Sequence, residues 1–335
     1  MLTSIRTAER RRRVRTVLLA GLSLILIGTT ATVLRSTLLG PLPGDGPARG
    51  DFVPIGDVPE GPPPAAPGPD ASTGSFTSEC GRNEEGHYNA DNPVLTPGVP
   101  NAAHHTHEYV GNLSTYFGST DATLAAAATT CAMADDRSTY FWPVLRRLDR
   151  TGEDHEQPGG GSHGNIGEIL PPSSVRLEFQ GNAVSDVVAM PRFLRSVTGD
   201  PLAFTEGTGP PPAQWSCAGE PERITDRYPL CEPGSRVLRL LDFPSCWDGL
   251  ATDSEDHRAH LVPPQAGGAC PQRTFPVPRL RVELGYDVPE GVAYAIDSFP
   301  EQRRSPGTDH AMFVNVMSEE LMDQVVECIN SGRRC

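Results

Sequence analysis

The sequence predicts a mainly β domain, a β-sandwich or jelly-roll-like fold with many loops and few short helices, stapled by disulfides. Three observations predict it. Glycine and proline each occur 34 times in 335 residues, while aromatic residues make up 6%; such a chain favours turns and short strands over long helices. Short segments alternate apolar and polar residues, as in Val175-Arg176-Leu177-Glu178-Phe179, which is the period-two signature of a half-buried strand. Eight cysteines are present, none in a C-x-x-C pair, which excludes zinc-ribbon and thioredoxin readings and leaves structural disulfides as the default for an exported chain.

Taken in order, residues 1–15 form a basic tail with Arg6, Arg10, Arg11, Arg12, Arg13 and Arg15. Residues 16–35 then enclose an uncharged apolar run, Val17 to Leu34. Arginines before a run close to the ~20 residues that span a bilayer predict a cytoplasmic N-terminus and a single-pass signal-anchor in the cell membrane. Cleavage of the same segment as a signal peptide would instead give a secreted domain. Residues 36–79 carry runs such as Pro62-Pro63-Pro64 and are expected to be an extended, disordered linker. The extracytoplasmic globular domain is expected over 80–335.

Within it, Val175–Phe179, Val237–Leu241, Arg279–Leu284, Val292–Ile296 and Met312–Val316 read as strands. Ser318 to Ile329 reads as a helix, with Ser318 as its cap and Glu319 and Glu320 in the first turn. A second, alanine-rich helix is expected over Thr120 to Thr130, with Asp121 as cap. Proximity and elimination suggest the pairs Cys80–Cys131, Cys217–Cys231, Cys246–Cys270 and Cys328–Cys335. Spacing by itself leaves other connectivities open.

The formal net charge is −14, with many of the arginines in the N-terminal tail. No broad basic surface remains for phosphates, so a nucleic-acid partner is excluded. No Gly-x-Ser-x-Gly elbow marks a serine hydrolase. The glycine-rich stretch 159–164 lacks the ending of a phosphate-binding loop.

Three segments gather titratable side chains. Residues 246–260 hold Asp248, Asp253, Asp256, His257 and His260 with little apolar material between them. A loop this polar normally has a task. Its carboxylates suit either turn capping or acid/base chemistry. His105 and His107 share one face of an extended segment, because side chains alternate along a strand. His310 begins a strand near the C-terminus. One pocket receiving His105, His107, His257, His260 and His310, together with Asp248, Asp253 and Asp256 as acid and base, is the expected catalytic site. Nothing in the sequence specifies a metal or other cofactor, so hydrogen bonding to a sugar is expected over ligation of an ion. Tyr140, Trp142 and Trp247 are candidate sugar-binding aromatics, or core residues where a cysteine adjoins.

These pieces, in order, resemble a known family. Asp91-Asn92-Pro93-Val94, His105-Thr106-His107 with Gly111, Tyr140-Phe141-Trp142-Pro143, Gly199-Asp200-Pro201 and Trp215-Ser216-Cys217 come first. Phe243-Pro244-Ser245-Cys246-Trp247-Asp248-Gly249, Asp256-His257, His260, Cys270-Pro271 and His310 follow. The series is similar to the domain of unknown function family numbered nineteen-ninety-six, found in secreted fungal and bacterial proteins. This chain departs from it after the last histidine, where Ala311-Met312 replaces a glycine-aspartate pair and Asp309 stands as the available acid. The resemblance implies an exported domain, in fungi sometimes joined to carbohydrate-binding modules, and implies no activity. The sequence thus leads to a membrane-tethered domain that acts on or binds cell-envelope polysaccharide, as a hydrolase or lyase or as a non-catalytic binding or scaffold module.

Overall fold

Two five-stranded antiparallel sheets carry the fold of a computed structural model that describes residues 39–40, 42, 44, 46–62, 66–207 and 214–335. The first sheet runs Tyr88–Asn89, His107–Gly111, Thr139–Pro143, His310–Val314 and Arg195–Gly199. The second runs Gln214–Cys217, Val237–Asp242, Arg279–Tyr286, Ser174–Gln180 and Ser75–Ser78. The main apolar core joins the two. Phe313 of the first sheet stacks on Tyr140 at 5.0 Å and meets Phe179 of the second at 5.9 Å. Each such fully buried aromatic contributes roughly 1.5–3 kcal/mol.

The first sheet is buried on both faces. Val110, Tyr140, Trp142, Ala311 and Phe313 point into the main core, whereas Tyr109, Phe141, Met312 and Val314 point into a smaller cluster closed by Val94 and Leu124. A strand covered on both sides need not alternate apolar with polar. That is why Thr139–Pro143 and His310–Val314 are buried at every position. The second sheet shows the half-buried pattern; Arg279–Tyr286 alternates over most of its length.

The predicted strands are present with shifted ends: Ser174–Gln180, Val237–Asp242, Arg279–Tyr286, Tyr294–Ile296 and His310–Val314. The C-terminal helix spans Glu319–Asn330, and the Ser318 side chain accepts from the Leu321 N–H, satisfying a donor that the helix itself leaves open. The alanine-rich helix is shorter than expected, Asp121–Ala126. Its cap is Thr120, which accepts from Thr123, because the hydroxyl of the preceding extended residue reaches the first-turn N–H. The four disulfides are Cys80–Cys131, Cys217–Cys231, Cys246–Cys270 and Cys328–Cys335.

Within the linker expected over 36–79, two described segments, 52–54 and 75–78, are strands rather than disordered chain. Phe52–Pro54 pairs in parallel with Tyr228–Leu230, and Ser75–Ser78 forms an edge of the second sheet. Phe52, Val53, Ile55, Val58 and Phe76 are buried. Proline content suggested an extended coil. Prolines are tolerated in short edge strands, however, and five buried apolar side chains outweigh the composition. The basic tail 1–15 and the apolar span 16–35 lie outside the described residues. Among those described, no helix is long and apolar enough to cross a membrane.

Candidate metal centre

Strand register brings three histidines to one end of the first sheet. His107 pairs with Pro143, and Met312 with Phe141. Continuing that register sets His310 beside Pro143 on its other flank. His107 and His310 therefore sit two strand spacings apart, about 9.5 Å between backbones, on the face of the smaller cluster. His105 lies in the bend just before that strand. The side chains close the gap. Nε2 of His105 lies 3.1 Å from Nε2 of His107 and 3.2 Å from Nε2 of His310. The residues are 1%, 0% and 1% exposed.

The opposite ring nitrogens fix the tautomers. Nδ1 of His107 donates to the Asp91 carbonyl at 2.8 Å, and Nδ1 of His310 to the Thr308 carbonyl at 2.9 Å. A carbonyl can only accept, so both Nδ1 atoms carry the proton and both Nε2 atoms are lone pairs. Nδ1 of His105 is buried without a hydrogen bond of good geometry; the Ala103 carbonyl is the group turned toward it. Burial holds His107 down to about 4 and, with the neighbouring histidines, drives His105 and His310 well below the ordinary imidazole value. All three are neutral at physiological pH, the state that binds metal. With bonds of ~2.0–2.1 Å, a tetrahedral ion sets neighbouring nitrogens about 3.3 Å apart, close to the two spacings that His105 makes with His107 and His310. In an ion-free cluster, His105 would have to donate from Nε2 and turn a bare Nδ1 toward a carbonyl oxygen.

Two buried ion pairs hold the histidine strands in place. Arg239 grips Asp309 with both arms of its guanidinium and donates to the Pro143 carbonyl at 2.8 Å; Asp309 in turn accepts from the His310 N–H at 2.8 Å. Arg146 grips Asp297 at 2.7 and 3.0 Å, and Asp297 accepts from the Thr106 N–H at 3.3 Å. Burial pushes both carboxyls up, but each guanidinium is held still more firmly protonated by its carboxylate, so the pairs are ionised. Gly199, opposite His310 at φ +74, is required there: a Cβ would collide with the Asp309 carbonyl and come within 2.7 Å of the His310 Cα.

The 246–260 loop meets the flank of this centre through Arg258, whose guanidinium donates at 2.9 Å to the carbonyl of Gly199, the strand partner of His310; its histidines and carboxylates bond elsewhere. His260 donates from Nε2 to the Arg195 carbonyl at 2.7 Å. Arg195 pairs with Val314, four residues along the sheet from the Gly199–His310 pair, or about 13 Å. Nδ1 of His260 shares a hydrogen bond with Ser254. His257 bonds Asp253 at 2.9 Å and has φ +57. Asp248 accepts from the N–H groups of Leu250 and Ala251. Asp256 accepts from Ser254, Arg258 and Ala259, which hold its carboxyl down to about 2. The carboxylates cap turns of their own loop and His260 ties it to the Arg195 strand, so of the five histidines expected in one pocket the described contacts join His105, His107 and His310, while His257 and His260 are bonded elsewhere.

The sugar-binding aromatics are likewise relocated. Tyr140 donates to Asp136 at 3.0 Å and Trp142 to Glu108 at 2.6 Å, both inside the main core. A fully buried ring offers no face to a sugar. Trp247, half-buried beside the Cys246–Cys270 bridge, donates to the Ala251 carbonyl at 2.7 Å. Sequence reasoning missed Arg239, Arg146 and Asp297. Arg239 interrupts the apolar run Val237-Leu238-Arg239-Leu240-Leu241, and a charge inside a buried strand is the signal that marks it. Cys80, Cys131 and Asp136 also cluster, but the cysteines are joined in a disulfide and supply no thiolate.

A family model described as Domain of unknown function (DUF1996) matches residues 92–311, a span that includes all three histidines. No curated protein and no solved structure matches the chain.

Proposed function

The chain belongs to that family, and we propose that it is a metal-dependent domain in which His105, His107 and His310 hold a divalent transition-metal ion through their Nε2 atoms. The observation that carries this reading is the convergence of three neutral imidazoles, two with Nδ1 committed to backbone carbonyls. Imidazole ligands suit zinc, copper, iron or nickel over magnesium or calcium. Three protein ligands, where a structural zinc takes four, leave a position for water. A zinc ion in such a site lowers the pKa of bound water to about 7. Held by His105, His107 and His310, such an ion would supply a nucleophilic water for hydrolytic chemistry.

Cell-envelope polysaccharide is the substrate class we favour. Support comes from the predicted membrane tether, from four disulfides suited to an oxidising compartment, and from the resemblance to secreted proteins. The near-complete burial of the histidines favours a second reading, a metal that only braces the fold of a polysaccharide-binding module.

One experiment separates the two. The purified chain is stripped with chelator, reloaded with Zn²⁺, Cu²⁺ or Mn²⁺, and incubated with envelope polysaccharides, with products read by mass spectrometry. Metal-dependent product lost in His107→Ala supports the catalytic reading. Stoichiometric metal that raises the melting temperature but yields no product supports the bracing one. Failure of any transition metal to bind would remove both.

A further inference from the structure

Resting on that reading, we infer that the pocket beside Phe299 is the vestibule of the metal centre and takes a saccharide bearing a carboxylate or phosphate. The pocket, of about 250 Å³, is walled by His163, Asn165, Ser298, Phe299, Arg303 and Arg304. It adjoins the centre directly. The half-buried Phe299 ring meets His105 edge-on at 5.3 Å and His104 at 5.8 Å. Asn165 donates to the His104, Gly159 and Ser298 carbonyls and accepts from the Ser298 N–H at 3.0 Å. One buried amide thus welds the pocket wall to the segment that carries His105.

The charge of the pocket runs against that of the chain. In a protein of net charge −14, its described lining has two arginines and a histidine and no acidic residue. Arg304 is occupied: it donates to the Ile296, Ile166 and Ala295 carbonyls and lies 3.5 Å from Asp297. Arg303 is the exposed guanidinium, suited to a planar anion. Backbone strain gathers here as well. His104, Arg303 and Arg304 take φ of +54, +53 and +55, a region side-chain-bearing residues rarely enter and which concentrates at ligand sites.

The test uses the full chain loaded with Co²⁺, whose visible bands report the metal's ligands. Glucuronate, glucose 1-phosphate and glucose are titrated by calorimetry and by absorbance. The expected result is binding of one or both acids at least tenfold tighter than glucose, with a change in the Co²⁺ bands. Arg303→Ala weakens the acids at least tenfold and leaves Co²⁺ stoichiometry intact, and the preferred acid distinguishes carboxylate from phosphate. Equal binding of glucose, an unaffected Arg303→Ala variant, or acid binding that leaves the Co²⁺ bands unmoved overturns the vestibule while the metal centre stands. Absence of Co²⁺ at the histidines removes the metal reading and the vestibule with it, and calorimetry then reports separately whether the pocket selects an anion.

Discussion

The 105–107/310 cluster and the 246–260 loop look alike in composition and are opposite in physical character. In the loop, the carboxylates find partners within a few residues: Asp248 caps Leu250 and Ala251, His257 meets Asp253, and Asp256 gathers Ser254, Arg258 and Ala259, while Arg258 and His260 tie the loop to the Arg195–Gly199 strand. In the cluster, His310 comes from 205 residues away, and the three rings are buried with their Nε2 atoms turned toward one another. Local satisfaction builds a turn. Three converging imidazole nitrogens, held by buried Arg–Asp pairs behind them, build a site. Density of titratable residues in sequence is therefore a poor guide to chemistry, and buried convergence of groups distant in sequence is a better one.

The sharpest way to break this comparison is to remove one histidine from each region. His107→Ala or His310→Ala is expected to weaken transition-metal binding by more than the ~10–100-fold that follows loss of a partner behind a ligand. His257→Ala is expected to leave it unchanged. Calorimetry with elemental analysis reads both, and equal loss in the two regions would mean that the loop does reach the metal.

The next effect concerns the supports. Arg239→Leu strands Asp309 as an uncompensated buried charge, which costs about 3–5 kcal/mol. A fall in chemical-denaturation midpoint together with weaker metal binding is expected. A stability loss with unaltered metal affinity would detach Asp309 from the placement of His310.

A pH experiment sharpens the contrast between the faces of the first sheet. Burial pushes Glu108 up to about 7, although Trp142 and Tyr286 donate to it. Its folded value exceeds its unfolded one, so the folded state binds the extra proton between about pH 4.5 and 7. Glu108 therefore contributes stability at low pH that is lost as pH rises through 7, about 3 kcal/mol for a shift of that size. The histidines have the reverse sign. With folded values depressed, their contribution is present above pH 6.5 and falls as pH drops toward 4. Glu108→Gln should remove the high-pH loss and spare the low-pH one in metal-free protein, as read by melting temperature across pH 4–8. A profile identical to wild type would place the titration elsewhere.

The smallest expected effect is in the loop. His260→Ala leaves the buried Arg195 carbonyl without its donor, worth ~1–3 kcal/mol, with metal binding unmoved. Thermal melting with the same metal assay checks it.

The sequence by itself determined what local chemistry decides. Period-two alternation marked the half-buried strands of the second sheet, Ser318 with its following glutamates set the start of the C-terminal helix, and near neighbours in sequence suggested the disulfide pairs found. The His-x-His spacing suggested that His105 and His107 belong together; the strand itself begins at His107, and His105 joins it from the preceding bend. What only the tertiary structure decided is strand order. Whether His310 or His260 joins that pair depends on His310–Val314 lying beside Thr139–Pro143 with a particular register, and no local signal encodes a contact across 205 residues. Burial was equally non-local. Trp142 looked fit for a sugar, yet it lies at 0% exposure in the main core, because a side chain's surroundings are set by the layer that covers it.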